Sequence, residues 1–215
     1  MSTFDWESFL RQWSRDFIDS DTEVAQQLPD EVRKSGWLGY PGATEADISR
    51  TEARLGVRLP PSYRAFIKVT NGWRQTTPFI YEIWSIKEIE WFAARHSNWI
   101  NQFKELPLAS ERTVLSQNGF DRPPPYPIVS DQDYFVYGDR QDPSKIRIDY
   151  LETALEISNR GESAVYLLNP EVISEDGEWE AWFFGDWLPG ADRYRSFQDM
   201  MQAEYQNFLE LRDVL

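Results

Sequence analysis

Residues Ala43 to Trp73 read ATEADISRTEARLGVRLPPSYRAFIKVTNGW and spell two short helices joined by a stiff elbow. Thr44 is a good N-cap, and Asp47 three residues later closes a capping box with a shorter carboxylate than usual. Glu45 and Asp47 also stand where the helix dipole favours negative charge. Ile48, Thr51 and Leu55 follow at three- and four-residue steps, so they share one face. Gly56 can take the left-handed conformation that stops a helix, and Val57 then packs back on the last turn. Leu59-Pro60-Pro61 forbids helix at residue 59, whereas Pro61 at the first helical position presets a second helix carrying Tyr63, Phe66 and Ile67 on one side. Asn71-Gly72 ends it.

These residues resemble the SUKH superfamily, which takes in fungal cell-wall-assembly regulators and bacterial toxin-immunity (antitoxin) proteins. Its N-terminal motif is an acidic-capped helix, a Leu-Gly elbow, Leu-Pro, a Tyr-containing helix and an Asn-Gly-aromatic end. Here those are Thr44 to Asp47, Leu55-Gly56, Leu59-Pro60-Pro61, Tyr63 with Phe66, and Asn71-Gly72-Trp73. The likeness resumes near the C-terminus with Val165 to Asn169-Pro170, Gly177-Glu178-Trp179-Glu180-Ala181-Trp182, and Ser196-Phe197. Residues 79 to 160 fit it only loosely. The resemblance implies a non-catalytic, protein-binding domain.

The chain has 215 residues, enough for one large domain or two small ones, and one domain is the simpler expectation. Ten Trp and 15% aromatic residues supply bulky material for its core. No run of about 18 apolar residues and no signal peptide is present, and there is no Cys. Disulfides, thiolate zinc sites and a Cys nucleophile are thereby excluded, and a cytoplasmic location is the simplest expectation. Lys and Arg number 22 against 36 Asp and Glu, a formal charge of −14. Such a surface repels nucleic acid and anionic membrane and attracts cationic partners.

Toward the N-terminus, Trp6, Phe9, Leu10, Trp13 and Phe17 form one helical stripe, with Ser2 as the expected cap and Asp5 at the box position. Such a stripe is far more often core than a cofactor box, and docking in a partner's groove is the secondary reading. Asp19 to Gly42 turns polar and reads as short helical turns and an entry loop. Residues 1–42 are thus expected as an amphipathic helix and entry loop packed on the core, and residues 43–212 as the SUKH-like domain. Beyond Trp73, Phe79 to Trp84 has strand composition, and Ile86, Ile89 and Phe92 change to a helical period, with more helix expected over Trp99 to Lys104. Pro123-Pro124-Pro125 and Pro127 mark a rigid extended loop. Ile128-Val129 and Tyr134 to Tyr137 read as short strands, and Ile146 to Ser158 is ambiguous. Val165 to Leu168 and Trp179 to Phe184 are clearer strands, the latter with large residues on both faces. Ser196 to Asp199 caps a closing helix whose apolar face is Phe197, Met201, Tyr205 and Phe208. Helices at both ends with strands between predict an α+β fold: a single domain, mostly antiparallel sheet flanked by helices, SUKH-like.

The usual catalytic constellations are missing. His96 is the only histidine, its neighbours form no recognised motif, and it reads as a surface helix residue. No P-loop or GxGxxG is present, so no cofactor is expected. Asp131 and Asp133, with Asp139 and Asp142, are of a type that ligates a hard cation, but the stretch reads as a solvated acidic loop between strands, and no metal is expected. The turn at Asp176-Gly177 fails the Ca²⁺-loop pattern, because Val172 and Ser174 occupy ligand positions and Phe183 the place of the bidentate Glu.

Two acidic stretches remain as partner-binding candidates: Glu175, Asp176, Glu178 and Glu180 around a Gly turn, with Trp179 as an aromatic anchor, and Asp131 with Asp133. Interface hot spots are enriched in Trp, although aromatic strand residues usually bury, which places Trp182 and Trp187 in the core. Trp187→Ala is accordingly expected to cost about 3 to 5 kcal/mol. The expected function is an immunity protein that binds and neutralises a cognate, basic toxin domain, with no enzymatic activity, no nucleic acid and no membrane as partner. A regulatory adaptor like the fungal members is the alternative, and a hydrolase or metal-dependent enzyme built on acidic residues is the reading from another class.

Overall fold

The computed structural model describes residues 4–20, 22–105, 129–159, 164–185 and 188–212. Trp187 and the run from Pro123 to Ile128 lie outside the described residues. Eight α-helices and two antiparallel sheets are found among the described residues, an α+β single domain.

The capped elbow forms as the residue pattern requires. Helix α4 (Glu45–Leu55) starts at Thr44, whose side chain accepts from the Asp47 N–H at 3.1 Å while Asp47 accepts from the Thr44 N–H at 3.2 Å. Gly56 stops it at φ 74°, and Val57 donates back to the Glu52 carbonyl. Helix α5 (Pro61–Val69) has Pro at its first position and buries Tyr63, Phe66 and Ile67 completely. Helix α1 (Trp6–Ile18) is capped by Asp5, which accepts from Ser8 N–H at 3.0 Å; the cap is therefore Asp5 and not Ser2. Short helices α2 (Glu23–Gln26) and α3 (Asp30–Ser35) fill the polar stretch that follows.

Trp73 turns inward and is fully buried. It opens β1 (Trp73–Thr77), which pairs with β2 (Ile80–Ile83) as a hairpin. The polar composition WRQTT hid β1 from pattern reading. The five-stranded sheet runs β3 (Glu90–Trp91), β4 (Leu155–Glu156), β5 (Ala164–Ile173), β6 (Trp179–Gly185), β7 (Ala191–Tyr194), antiparallel throughout. Bonds from Trp84 N–H to the Ile157 carbonyl (2.8 Å) and from Asn159 N–H to the Glu82 carbonyl (2.9 Å) tie the hairpin to it.

Three expectations in the middle of the chain are corrected. Ile86, Ile89 and Phe92 are all buried, but residues 86–89 form a turn rather than a helix, and α6 (Phe92–Glu105) begins only at Phe92. Tyr134 to Tyr137 is no strand: α7 (Asp131–Tyr134), capped by Ser130, occupies its start. Val129 is buried outside any strand. The ambiguous run resolves into a 3₁₀ helix (Ile148–Glu152) followed by β4.

Both faces of β5 and β6 are covered. Tyr166, Leu168, Trp179, Ala181 and Phe183 face a core built with α1, α4, α5 and the closing helix α8 (Phe197–Arg212). Val165, Leu167, Trp182 and Phe184 face a second core with Phe92 and Ile100 of α6, Tyr134 of α7, and Ile148 and Leu151. The outer edge of β7 is not open, because Ala191 N–H donates to the Pro143 carbonyl at 3.0 Å and Gln141 bonds both backbone groups of Arg193. Backbone passes so close there that a Cβ on Gly190 would lie 2.0 Å from the Pro143 oxygen.

Glu204 of α8 is buried against the sheet, where it accepts from the Tyr166 hydroxyl and from Asn207. Burial pushes its carboxyl up to about 7, against those two hydrogen bonds. Its folded value lies above the ordinary 4.5, so the stability it contributes is whole below that pH and is lost as pH rises through about 7. Glu204→Gln is expected to flatten the fall in thermal stability across that window, measured by melting at stepped pH. Gly56→Val is expected to cost about 1 to 3 kcal/mol in denaturant unfolding. A Cβ there meets nothing within 4 Å, so the whole effect is the positive φ.

Candidate partner-binding surface

The β5–β6 turn is built by residues whose roles divide between structure and surface. Its backbone closes through Gly177 at φ 83°, with Ser174 N–H donating to the Glu178 carbonyl and Gly177 N–H to the Ser174 carbonyl, both 2.9 Å. Helix α5 begins after Pro60, which has no side chain able to cap it. Glu178 supplies the missing cap from across the fold: one carboxylate oxygen accepts from Ser62 N–H at 2.8 Å, the other from Ser62 Oγ at 2.6 Å. Half-burial raises the Glu178 carboxyl while the Ser62 bonds pull it down. Glu178 is thus a tie between the turn and α5.

Glu180 lies deeper still. It is 1% exposed, on the second face of the sheet, and its carboxylate accepts from Tyr134 Oη (2.5 Å), Trp182 Nε1 (2.6 Å) and Tyr137 Oη (2.7 Å). Arg193 on β7, itself 1% exposed, completes the pair at 3.2 Å, donates to the Tyr134 carbonyl at 2.6 Å and stacks over the Tyr134 ring. Burial beside Glu180 holds both phenols protonated, well above their ordinary value. Trp179 is also buried, on the first face. Glu180 and Trp179 are therefore interior groups, a correction to their expected place in a contact patch: strand alternation sends each to a covered face.

Glu175 and Asp176 stand at the tip, exposed and without an ion-pair partner among the described residues. Asp131 and Asp133 are exposed as well, but Asp131 pairs with Arg147, and Asp133 bonds the Ser130 cap at 2.8 Å. The structure does not join the two acidic groups through any hydrogen bond or ion pair among the described residues. Tyr134 ties α7 to the second face, whereas Glu178 ties the turn to α5 on the first.

Pattern reading missed two features. Just before the turn, Asn169 pairs with Glu180, yet the next pair is Ile173 with Trp179, so β5 advances four residues while β6 advances one. Pro170 has no N–H to give the ladder, and Asn169 Oδ1 accepts from Glu171 N–H at 3.0 Å; together they make the bulge. The Asn-Pro dipeptide was its signal. Second, His96 is no plain surface residue: it stands at a kink in α6 (φ −126°, ψ 33°), and its Nε2 lies 2.9 Å from the buried carboxylate of Glu156. No sequence neighbour of His96 points to that contact.

Among the described residues no group of three or more His, Asp or Glu side chains is arranged to hold a metal, and no helix is long and apolar enough to cross a membrane. The chain belongs to the SMI1 / KNR4 family (SUKH-1), whose model matches residues 42–203. No curated protein matches it. Membership makes it a SUKH-domain protein, of a kind that is generally non-enzymatic and works as an immunity protein or regulator through protein contacts. Helix α1 precedes the matched region, yet places Trp6 and Trp13 in its core.

The two glutamates of the turn are separable by stability. Glu180→Ala leaves Arg193 buried and uncompensated, with an expected cost of about 3 to 5 kcal/mol. Glu178→Ala removes a cap, with an expected cost of about 1 to 2 kcal/mol. Urea unfolding of both variants checks the order.

Proposed function

We propose that this protein is an immunity protein that binds and neutralises a basic toxin domain, with the tip of the β5–β6 turn in the contact surface. One observation carries the reading. Glu175 and Asp176 stand exposed at the tip with no ion-pair partner among the described residues, while Arg64 and Lys68 of α5, the helix that the turn caps, are paired with Glu45 and Glu52. With a chain charge of −14, the tip presents a net negative field to an approaching basic surface. Glu178, by contrast, serves the fold and leaves the contact set. Asp131 and Asp133 form a second, weaker patch, since Arg147 neutralises part of it. In this reading residues 1–42 are an extension packed on the family domain at 43–212, and the site of action is the cytoplasm, where a toxin domain would meet its target.

The test is a double charge reversal, Glu175→Lys with Asp176→Lys, assayed against the polypeptide encoded by the adjoining reading frame. Association is expected to slow at least severalfold at low salt and to lose most of its salt dependence, with dissociation nearly unchanged. Thermal stability should move by no more than about 0.5 kcal/mol, because both side chains are solvated. Equal association rates at every salt concentration would remove the tip from the interface.

A further inference from the structure

The bulge at Asn169-Pro170 has a second effect, on the side chains beyond it. In an unbroken strand Asn169, Glu171 and Ile173 would share the second face of the sheet. The three extra residues reverse that alternation. Val172 now packs toward the second core, and Ile173 stands opposite Trp179 on the first side. The helical layer does not cover it there: Ile173 is 57% exposed, more than Val24, Tyr81 or Phe135, the other exposed large apolar side chains among the described residues. Around it stand three exposed carboxylates without an ion-pair partner among the described residues, Glu171 on the same strand and Glu175 and Asp176 in the turn that follows.

We propose that Ile173 is the apolar anchor of the partner-binding surface and enters a hollow, rimmed by Lys and Arg, on the partner protein. The proposal rests on the protein-binding reading above and adds the residue that holds the complex together. Chemistry selects the partner. The carboxylate rim repels nucleic acid, acidic peptides and anionic lipid alike, and an exposed isoleucine gains only from a partner that removes it from water. A simple cation would satisfy the rim and leave the side chain wet. A basic protein surface with a shallow apolar hollow satisfies both. The anchor is also held in place before binding. Ile173 is paired with the buried Trp179, its turn is closed by Ser174 and Glu178, and Glu178 is fixed on Ser62. Little conformational freedom is left to lose on association.

The roles of anchor and rim are kinetically distinct. Rim charges act on encounter, whereas a desolvated apolar contact acts on the lifetime of the complex. The experiment uses the full chain with the adjoining-frame polypeptide as probe and compares Ile173→Ala, Ile173→Thr and the Glu175→Lys/Asp176→Lys pair. Threonine keeps the branched shape that suits the strand and replaces a solvated apolar end with a polar one. Tyr81→Ala, an exposed apolar site on the β1–β2 hairpin, is the control. Both Ile173 variants are expected to raise the dissociation rate about tenfold, with association rate, salt dependence and melting temperature unchanged, and Tyr81→Ala to behave as wild type. Unchanged dissociation in the Ile173 variants, with association still slowed by the charge reversal, would overturn the anchor and leave the acidic surface standing. A probe that binds no variant differently from wild type, or does not bind at all, would overturn both.

Discussion

Burial of β5 and β6 on both faces is the constraint from which the rest of the structure follows. An antiparallel ladder exposed on one side would read as apolar and polar residues in turn. Here Tyr166, Leu168, Ala181 and Phe183 need one cover, and Val165, Leu167, Trp182 and Phe184 need another. The chain answers with two layers of different make. The first is helical: α1, α4, α5 and α8. The second is assembled from α6, α7 and a 3₁₀ turn, pieces too short or too irregular to pack by periodicity alone, and it is tied down by buried polar contacts instead.

Those contacts explain why so acidic a chain keeps carboxylates inside. Glu180 and Arg193 are a buried ion pair on neighbouring strands, and Tyr134 and Tyr137 bring the connecting segment to it. A buried pair of this sort is weak evidence for net stability, but each member is costly to lose alone. What it specifies is position: α7 sits where two phenolic hydroxyls can reach one carboxylate. Glu178 plays the matching part on the other face, where it caps a helix that begins with two prolines and so cannot cap itself.

The same economy of charge defines the surface. Glu178 is taken up by a helix cap and Glu180 by a buried ion pair, and Arg64 and Lys68 of the capped helix are paired with Glu45 and Glu52. Glu171, Glu175 and Asp176, at the end of β5 and in the turn after it, are exposed and have no ion-pair partner among the described residues. Their placement depends on a proline that cannot donate to the ladder and on the bulge that results. A backbone irregularity thus decides which residues the end of the strand turns toward solvent.

Much of the fold was legible in the residues themselves. The Thr44–Asp47 box, the Gly56 stop, the Pro61 start and the strands at 165 and 179 are set by local rules, in which capping, positive φ and alternation act within four residues. The family motif lies in those same stretches. Local rules failed where polar strands earn their place by pairing, as at Trp73 to Thr77, and where an apolar period was satisfied by a turn, as at Ile86 to Phe92. Of the acidic patch, sequence supplied the turn and its charge, but it could not sort Glu178 and Glu180 from Glu175 and Asp176. Two residues of spacing separate a solvated carboxylate from one that caps a distant helix, and two more from one buried on an arginine. Only the tertiary structure decided that, because the deciding partners, Ser62, Tyr134 and Arg193, come from three other elements of the chain.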